Sequence, residues 1–276
     1  MPAGRRARRV GLHQRNRGSG SRRRAPAPSV GPLGRASGRY RRPMPATPVL
    51  DRPDAVIFDL DGTLVDTVER RIEAWLQAFR EVGVPATREA VSPLIGADGK
   101  ALARRIAKES GRTLDEEAVE ETDRRSGEIY QALNVDPRPL PGARELAQAL
   151  DRAGIPWAIG TSSRRAQVRA SVDALHLPRE PSIVDGSHVE HAKPEPDLLL
   201  MAASQLKVDP RGTWYVGDST FDMQAAAAAG MYPIGVTTGS ADADALRGAG
   251  AAEVIGSLLE LERRLRRWAD PSASRA

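Results

Sequence analysis

The sequence predicts an α/β fold: a parallel sheet with helices on both faces, interrupted by an all-helical insert. Three observations carry this. Short apolar runs ending abruptly in Asp, Gly or Thr alternate with helical stretches of about 10–15 residues. No strand-like run occurs between residues 67 and 138. The 276 residues, 40% of them hydrophobic, can fill one large domain or a core plus a smaller module.

The elements follow in chain order. Ala55-Val56-Ile57-Phe58 is a continuous apolar run, which reads as a strand buried on both faces. Residues 68–82 have helical spacing through Ile72, Trp75, Leu76 and Phe79, and Gly83 ends the pattern. Residues 87–133 continue as helix, with breaks near Pro93-Leu94-Ile95-Gly96 and Gly111-Arg112. Asp136-Pro137-Arg138-Pro139 is the return to the sheet. Pro141 then opens a helix that Gly154 closes. Strands are expected over residues 155–160, 182–185, 213–217 and 233–236. Helices are expected over 164–175, 195–206, 219–229 and 258–268. Trp75, Trp157 and Trp214 lie in apolar runs and are expected in the core. The implied division is a disordered leader (1–46), a core (47–66 and 140–268), a helical cap (67–139) and a disordered tail (269–276).

Composition excludes several chemistries. There is no cysteine, hence no disulfide, thiolate zinc site or cysteine nucleophile, and this fits a reducing compartment such as the cytoplasm. No apolar stretch approaches the roughly 18 residues of a membrane span. The net charge of +5 comes from the leader: residues 1–43 hold 13 Arg and no Asp, Glu or Lys, so the remainder carries −8. Three readings stay open for the leader: a disordered tail, an Arg-rich transit peptide, or a stretch upstream of a start at Met44. Apart from Tyr40 it has no aromatic interleaving, so a nucleic-acid partner is not expected.

In an open α/β sheet, ligands bind outside the carboxyl ends of the strands. Four segments sit there in order. Asp59-Leu60-Asp61-Gly62-Thr63 offers Asp59 as a nucleophile toward phosphorus. Asp61, two residues on along an extended chain, points to the same side as a general acid and base. Gly62 lets the chain turn. Taken alone, the segment also reads as an acidic turn. Thr161, by its hydroxyl, and Ser162, by its backbone N–H, are placed to bind phosphoryl oxygens at a helix start; an ordinary helix cap is the competing reading. Lys193 is placed to offset the charge of Asp59 and of the transferring group. It stands beside a helix start, where the dipole disfavours it, and that local conflict favours a functional role. Asp218, with Asp59 and the backbone oxygen of Asp61, forms an oxygen-rich set suited to Mg2+. Asp222, one turn on, is placed to order metal-bound waters or to hold Lys193. His188 and His191 are a conceivable metal pair, but a polar loop is the expected reading.

With these residues in place, the chain resembles the haloacid dehalogenase superfamily of phosphatases, and most of all its phosphoglycolate phosphatase and β-phosphoglucomutase branch. The matching segments are Asp59-Leu60-Asp61-Gly62-Thr63-Leu64-Val65-Asp66-Thr67, Gly160-Thr161-Ser162-Ser163, Ala192-Lys193-Pro194 and Gly217-Asp218-Ser219-Thr220-Phe221-Asp222. The resemblance covers about residues 53–262. It implies a Rossmann-like core, a mobile helical cap, and Mg2+-dependent hydrolysis of a small phosphorylated metabolite through an aspartyl-phosphate. It implies catalytic roles for Asp59, Asp61, Thr161 and Lys193, and metal roles for Asp59, Asp61, Asp218 and Asp222. Gly62, Ser162, Lys100 and Arg104 are the substrate-side candidates; Arg105 is a further cap candidate. For the cap residues a solvated helix face is the competing reading.

Departures from the family pattern narrow the choice. The dehalogenase and phosphonate-cleaving branches lack an acid where this chain has Asp61. The sugar phosphomutases carry a Ser-Arg pair in the first cap loop, where this chain has Asp98-Gly99-Lys100. A phosphatase is therefore the expected activity. A phosphomutase and a non-enzymatic phospho-acceptor switch stand as alternatives.

Overall fold

The computed structural model describes residues 52–269 apart from residue 190. The readings made above for residues 1–46 and 270–276 fall outside them. The chain runs β1 (Ala55–Phe58), β2 (Val65–Asp66), α1 (Val68–Glu81), α2 (Arg88–Val91), α3 (Gly99–Glu109), α4 (Glu116–Leu133) and β3 (Arg138–Pro139). It continues with α5 (Ala143–Ala153), β4 (Trp157–Gly160), α6 (Arg165–Ala174), β5 (Ser182–Val184), α7 (Asp197–Leu206), β6 (Thr213–Gly217), α8 (Thr220–Ala229), β7 (Tyr232–Val236), α9 (Ala243–Gly248), β8 (Glu253–Ile255) and α10 (Leu258–Ala269).

Six strands form one parallel sheet in the order β5-β4-β1-β6-β7-β8. β1 lies inside it, between β4 and β6, so the carboxyl ends of these three strands converge. β1 is buried throughout because helices cover both sheet faces. Its side chains alternate. Val56 and Phe58 join the core packed by α5 and α10, including Trp157, Trp214, Leu146 and Leu261. Ile57 joins the opposite core, with Tyr215, Leu198 and Ala226 from β6, α7 and α8.

Among the described residues, those from Val68 to Leu133 contain no strand. The apolar stripe of α1, Ile72, Trp75 and Phe79, packs on Leu102, Ile106 and Val119 of α3 and α4. A second small cluster, Ala74, Ala78, Ile129 and Tyr130, joins α1 to α4. The breaks foreseen in this region are real: a 3-10 turn at Ser92–Leu94, and left-handed backbone at Gly96 (φ +97°) and Gly111 (φ +70°). Asp98 and Asp115 accept from backbone N–H groups in the first turns of α3 and α4, caps worth about 1 kcal/mol each.

Four elements were not foreseen: β2, β3, α9 and β8. None exceeds six residues, too short for a periodic signal. β2 and β3 matter most. Their antiparallel pairing, Val65 with Pro139 and Asp66 with Arg138, lays the outgoing and returning crossings of the helical insert side by side.

Candidate active site

The first segment emerges from β1 with Asp59 and Asp61 both largely buried. Gly62 takes φ +82°, and a Cβ there would come within 2.7 Å of Asp218 Oδ2, so conformation and space both require glycine. Thr63 donates to Asp218 Oδ1 at 2.9 Å, tying the end of β1 to the end of β6. The backbone N–H of Ser240 donates to Asp218 Oδ2 at 2.8 Å.

Lys193 is fully buried, the resolution of its awkward position in the sequence. Its Nζ contacts Asp59 Oδ1 and lies 2.8 Å from Asp222 Oδ1. Asp222 also accepts from Tyr215 at 2.8 Å. Its second oxygen closes a capping box at the start of α8, accepting from the Ser219 N–H at 3.0 Å and the Ser219 hydroxyl at 2.6 Å. Of the two roles foreseen for Asp222, the contacts made are those that hold Lys193.

Carboxylate oxygens of Asp59, Asp218 and Asp222 lie within 4.8 Å of one another. This crowding shows in their acidity. Burial raises the Asp59 carboxyl well above the ordinary range; Lys193 opposes the shift and the Asp222, Asp218 and Asp61 charges add to it. Burial, then the Asp222 charge, pushes Asp218 up to about 7 against its hydrogen-bond donors. For Lys193 burial acts downward, but Asp222 and Asp59 outweigh it and hold the ammonium charged. A divalent cation would restore the missing positive charge, and the donors are all hard oxygens. The residues present therefore fit Mg2+.

Asp61 turns toward the helical insert. Its Oδ1 accepts from Thr67 at 2.6 Å and from the Tyr130 hydroxyl at 2.8 Å. Its Oδ2 accepts from Ser163 at 2.9 Å and pairs with Arg71 at 2.8 Å. Burial would raise this carboxyl, but Arg71, Thr67, Tyr130 and Ser163 together hold it below the ordinary range. Arg71 also contacts the Ser163 hydroxyl, and its guanidinium carbon lies over the Tyr130 ring, 3.4 Å from the centroid. The sequence reading missed both residues. Arg71 carried a signal: it falls on the apolar stripe of α1, three residues after Val68 and four before Trp75. Tyr130 reads as one more apolar position of α4 and carried none.

The remaining candidates divide. Thr161, at the end of β4, is buried beside Asp59 in a chamber of about 70 Å³, which Ser162, Arg71 and Asp218 also line. Ser162 reaches across to the carbonyl of Gly96 at 3.3 Å. Lys100 and Arg104 do not line this chamber. They face a separate cavity outside it, ion-paired with Glu120 and Glu116. Arg105 pairs with Glu109 along α3. His188 and His191 contact different carboxylates, Asp185 and Asp197.

A parallel sheet with an acidic, lysine-braced pocket at its carboxyl edge, under a helical layer, is an arrangement suited to phosphoryl transfer. A family model of haloacid dehalogenase-like hydrolases matches residues 56–236, and the chain belongs to that family, in its phosphoglycolate phosphatase and β-phosphoglucomutase branch. It is a phosphoric monoester hydrolase. The chain is 32% identical over 211 residues to the "Probable phosphatase IndB" of Dickeya dadantii, covering 75% of this chain and 90% of that protein. It is 33% identical over 192 residues to the N-acetylmuramic acid 6-phosphate phosphatase of Pseudomonas aeruginosa, covering 68% and 83%. A crystal structure of a hydrolase from Pseudomonas syringae superposes with a TM-score of 0.73 at 31% identity, covering 77% of this chain and 98% of that one. Among the described residues, no helix is long and apolar enough to cross a membrane.

Proposed function

We propose that the protein is a Mg2+-dependent phosphatase of the cytoplasm that hydrolyses a small phosphate monoester through an aspartyl-phosphate on Asp59. The observation that supports this best is Asp59 itself. Its buried carboxylate is braced by Lys193, faces a chamber of phosphate size, and lies beside Asp218.

Asp59 and Asp218, with the backbone oxygen of Asp61, would hold the metal; Asp222 serves it by fixing Lys193. When bound, Mg2+ supplies positive charge opposite the phosphoryl oxygens and lets carboxylate and phosphate approach each other. A carboxylate oxygen of Asp59 attacks phosphorus as the ester P–O bond breaks. Thr161 and the Ser162 N–H bind phosphoryl oxygens, and Lys193 offsets their charge. The leaving alkoxide takes its proton from Asp61. Asp61 then takes a proton from the water that attacks the phosphorus, which frees phosphate and restores Asp59. The four donors around Asp61 favour its ionised form, the form this second step needs.

The test is hydrolysis of p-nitrophenyl phosphate with Mg2+. Asp59→Asn and Asp61→Asn should each lose at least about 10²–10⁴-fold in kcat. Trapping of phosphate on Asp59 after rapid acid quench should be seen in wild type and be absent from Asp59→Asn. Turnover at the wild-type rate in either variant ends the proposal.

A further inference from the structure

The loop after β7, Thr237-Thr238-Gly239-Ser240, leaves the sheet at the same carboxyl edge as the four segments of the site. It carries no charge, so nothing in its composition marks it. It nonetheless holds two of the three groups that would bind the metal.

The first is Asp218. The Ser240 N–H donates to its Oδ2 at 2.8 Å, and the Ala241 N–H donates to its backbone carbonyl at 3.1 Å. The second is the turn that carries the backbone oxygen of Asp61. There the Thr238 hydroxyl donates to the Gly62 carbonyl at 2.7 Å. Asp59, the third group, is braced from elsewhere by Lys193.

Gly239 is the sharpest sign of what the loop serves. A Cβ at this position would lie 1.9 Å from Asp218 Oδ2 and 2.3 Å from its Cγ, and real Cβ atoms essentially never come within 3.0 Å of a neighbour. Gly239 does not adopt the left-handed backbone that favours glycine. Space for the carboxylate, not conformation, therefore calls for glycine here. Two glycines from separate loops, Gly62 and Gly239, thus leave room for the same oxygen. Partners that orient a ligand matter to affinity nearly as much as the ligand does. Mg2+ is especially demanding, because it takes few protein ligands and requires near-ideal geometry from them.

We propose that Thr238, Gly239 and Ser240 are positioning residues of the metal site: a fifth strand-end loop that sets how tightly the cation is held without ligating it. This rests on the metal-dependent phosphatase reading. Mn2+, a hard cation with the same preference for oxygen, is titrated into the full chain after treatment with EDTA and desalting, and free Mn2+ is read by electron paramagnetic resonance. Wild type should bind Mn2+ that Mg2+ displaces. Gly239→Ala, which pushes the Asp218 carboxylate aside, should weaken binding by about 10–100-fold, and Thr238→Val by about tenfold. Thr238→Ser, which keeps the hydroxyl, should restore the wild-type affinity. A loop that only stabilised the fold would lower the metal-free Tm in these variants and leave the affinity unchanged. The inference is overturned if folded Gly239→Ala binds Mn2+ as tightly as wild type or, should that variant not fold, if Thr238→Val does. Wild type that binds no Mn2+ removes the metal reading, and this inference with it.

Discussion

Arg71, on the first helix of the insert, closes a 2.8 Å ion pair with Asp61, which extends from the central strand of the core. The two residues are ten apart in sequence but belong to different layers. The proposed general acid and base is thus held partly by the layer that covers it.

Arg71→Ala should therefore change how activity depends on pH. Arg71 and the Tyr130 hydroxyl lower the pKa of Asp61 against the effect of burial. Without Arg71 the carboxyl titrates at higher pH, so its base form is lost sooner on acidification. The acid limb of the kcat profile, which includes the dephosphorylation step that needs this base, should move to higher pH. Tyr130→Phe should shift it the same way, by less. Profiles that superpose on wild type in both variants would show that neither group tunes Asp61.

Lys193 gives a prediction about stability as well as rate. It is the cation shared by two buried carboxylates, and removing one partner of a buried pair costs about 3–5 kcal/mol. Lys193→Met should lower Tm by roughly 10 °C and abolish turnover. Lys193→Arg should not restore activity, because a planar guanidinium does not fit a slot shaped for an ammonium between Asp59 and Asp222. A Tm within a degree or two of wild type for Lys193→Met would refute the stabilising role.

Metal dependence should carry a pH signature. Asp218 is raised to about 7 from an ordinary 3.8, so the metal-free protein takes up a proton at this site on folding between those values. Through this group, metal-free stability falls as pH rises from about 4 to 7. Bound Mg2+ would select the ionised form and cancel the penalty. Its effect on Tm should be larger at pH 8 than at pH 5.5, by about 5 °C. Melts in Mg2+ and in EDTA at both pH values measure this; equal shifts at the two would exclude it.

The sequence made the candidate site of the core readable because three of its side chains follow continuous apolar runs. Asp59, Thr161 and Asp218 are the first polar residues after β1, β4 and β6, and a parallel sheet brings such ends together whatever their separation in sequence. Lys193 was readable through its conflict with the neighbouring helix start. The residues facing the site from the insert were not. Tyr130 and Asp123 both sit on the amphipathic α4, and their roles depend on how two layers meet, which periodicity does not encode. Lys100 and Arg104, the cap candidates for gripping an anionic substrate, line the outer cavity and not the phosphate-sized chamber. The β2–β3 pairing escaped because two-residue strands have no period.

That short ribbon has a consequence for acidity. The polypeptide leaves the core after Asp66 and comes back at Arg138, and these residues face each other across a single pair of strands. Arg71 and Tyr130 reach Asp61 from beyond this ribbon, so a tilt of the insert about it would part them from the carboxylate. A displacement of the insert about this ribbon would thus raise the pH at which the carboxylate titrates, coupling the position of one layer to the acidity of a group in the other.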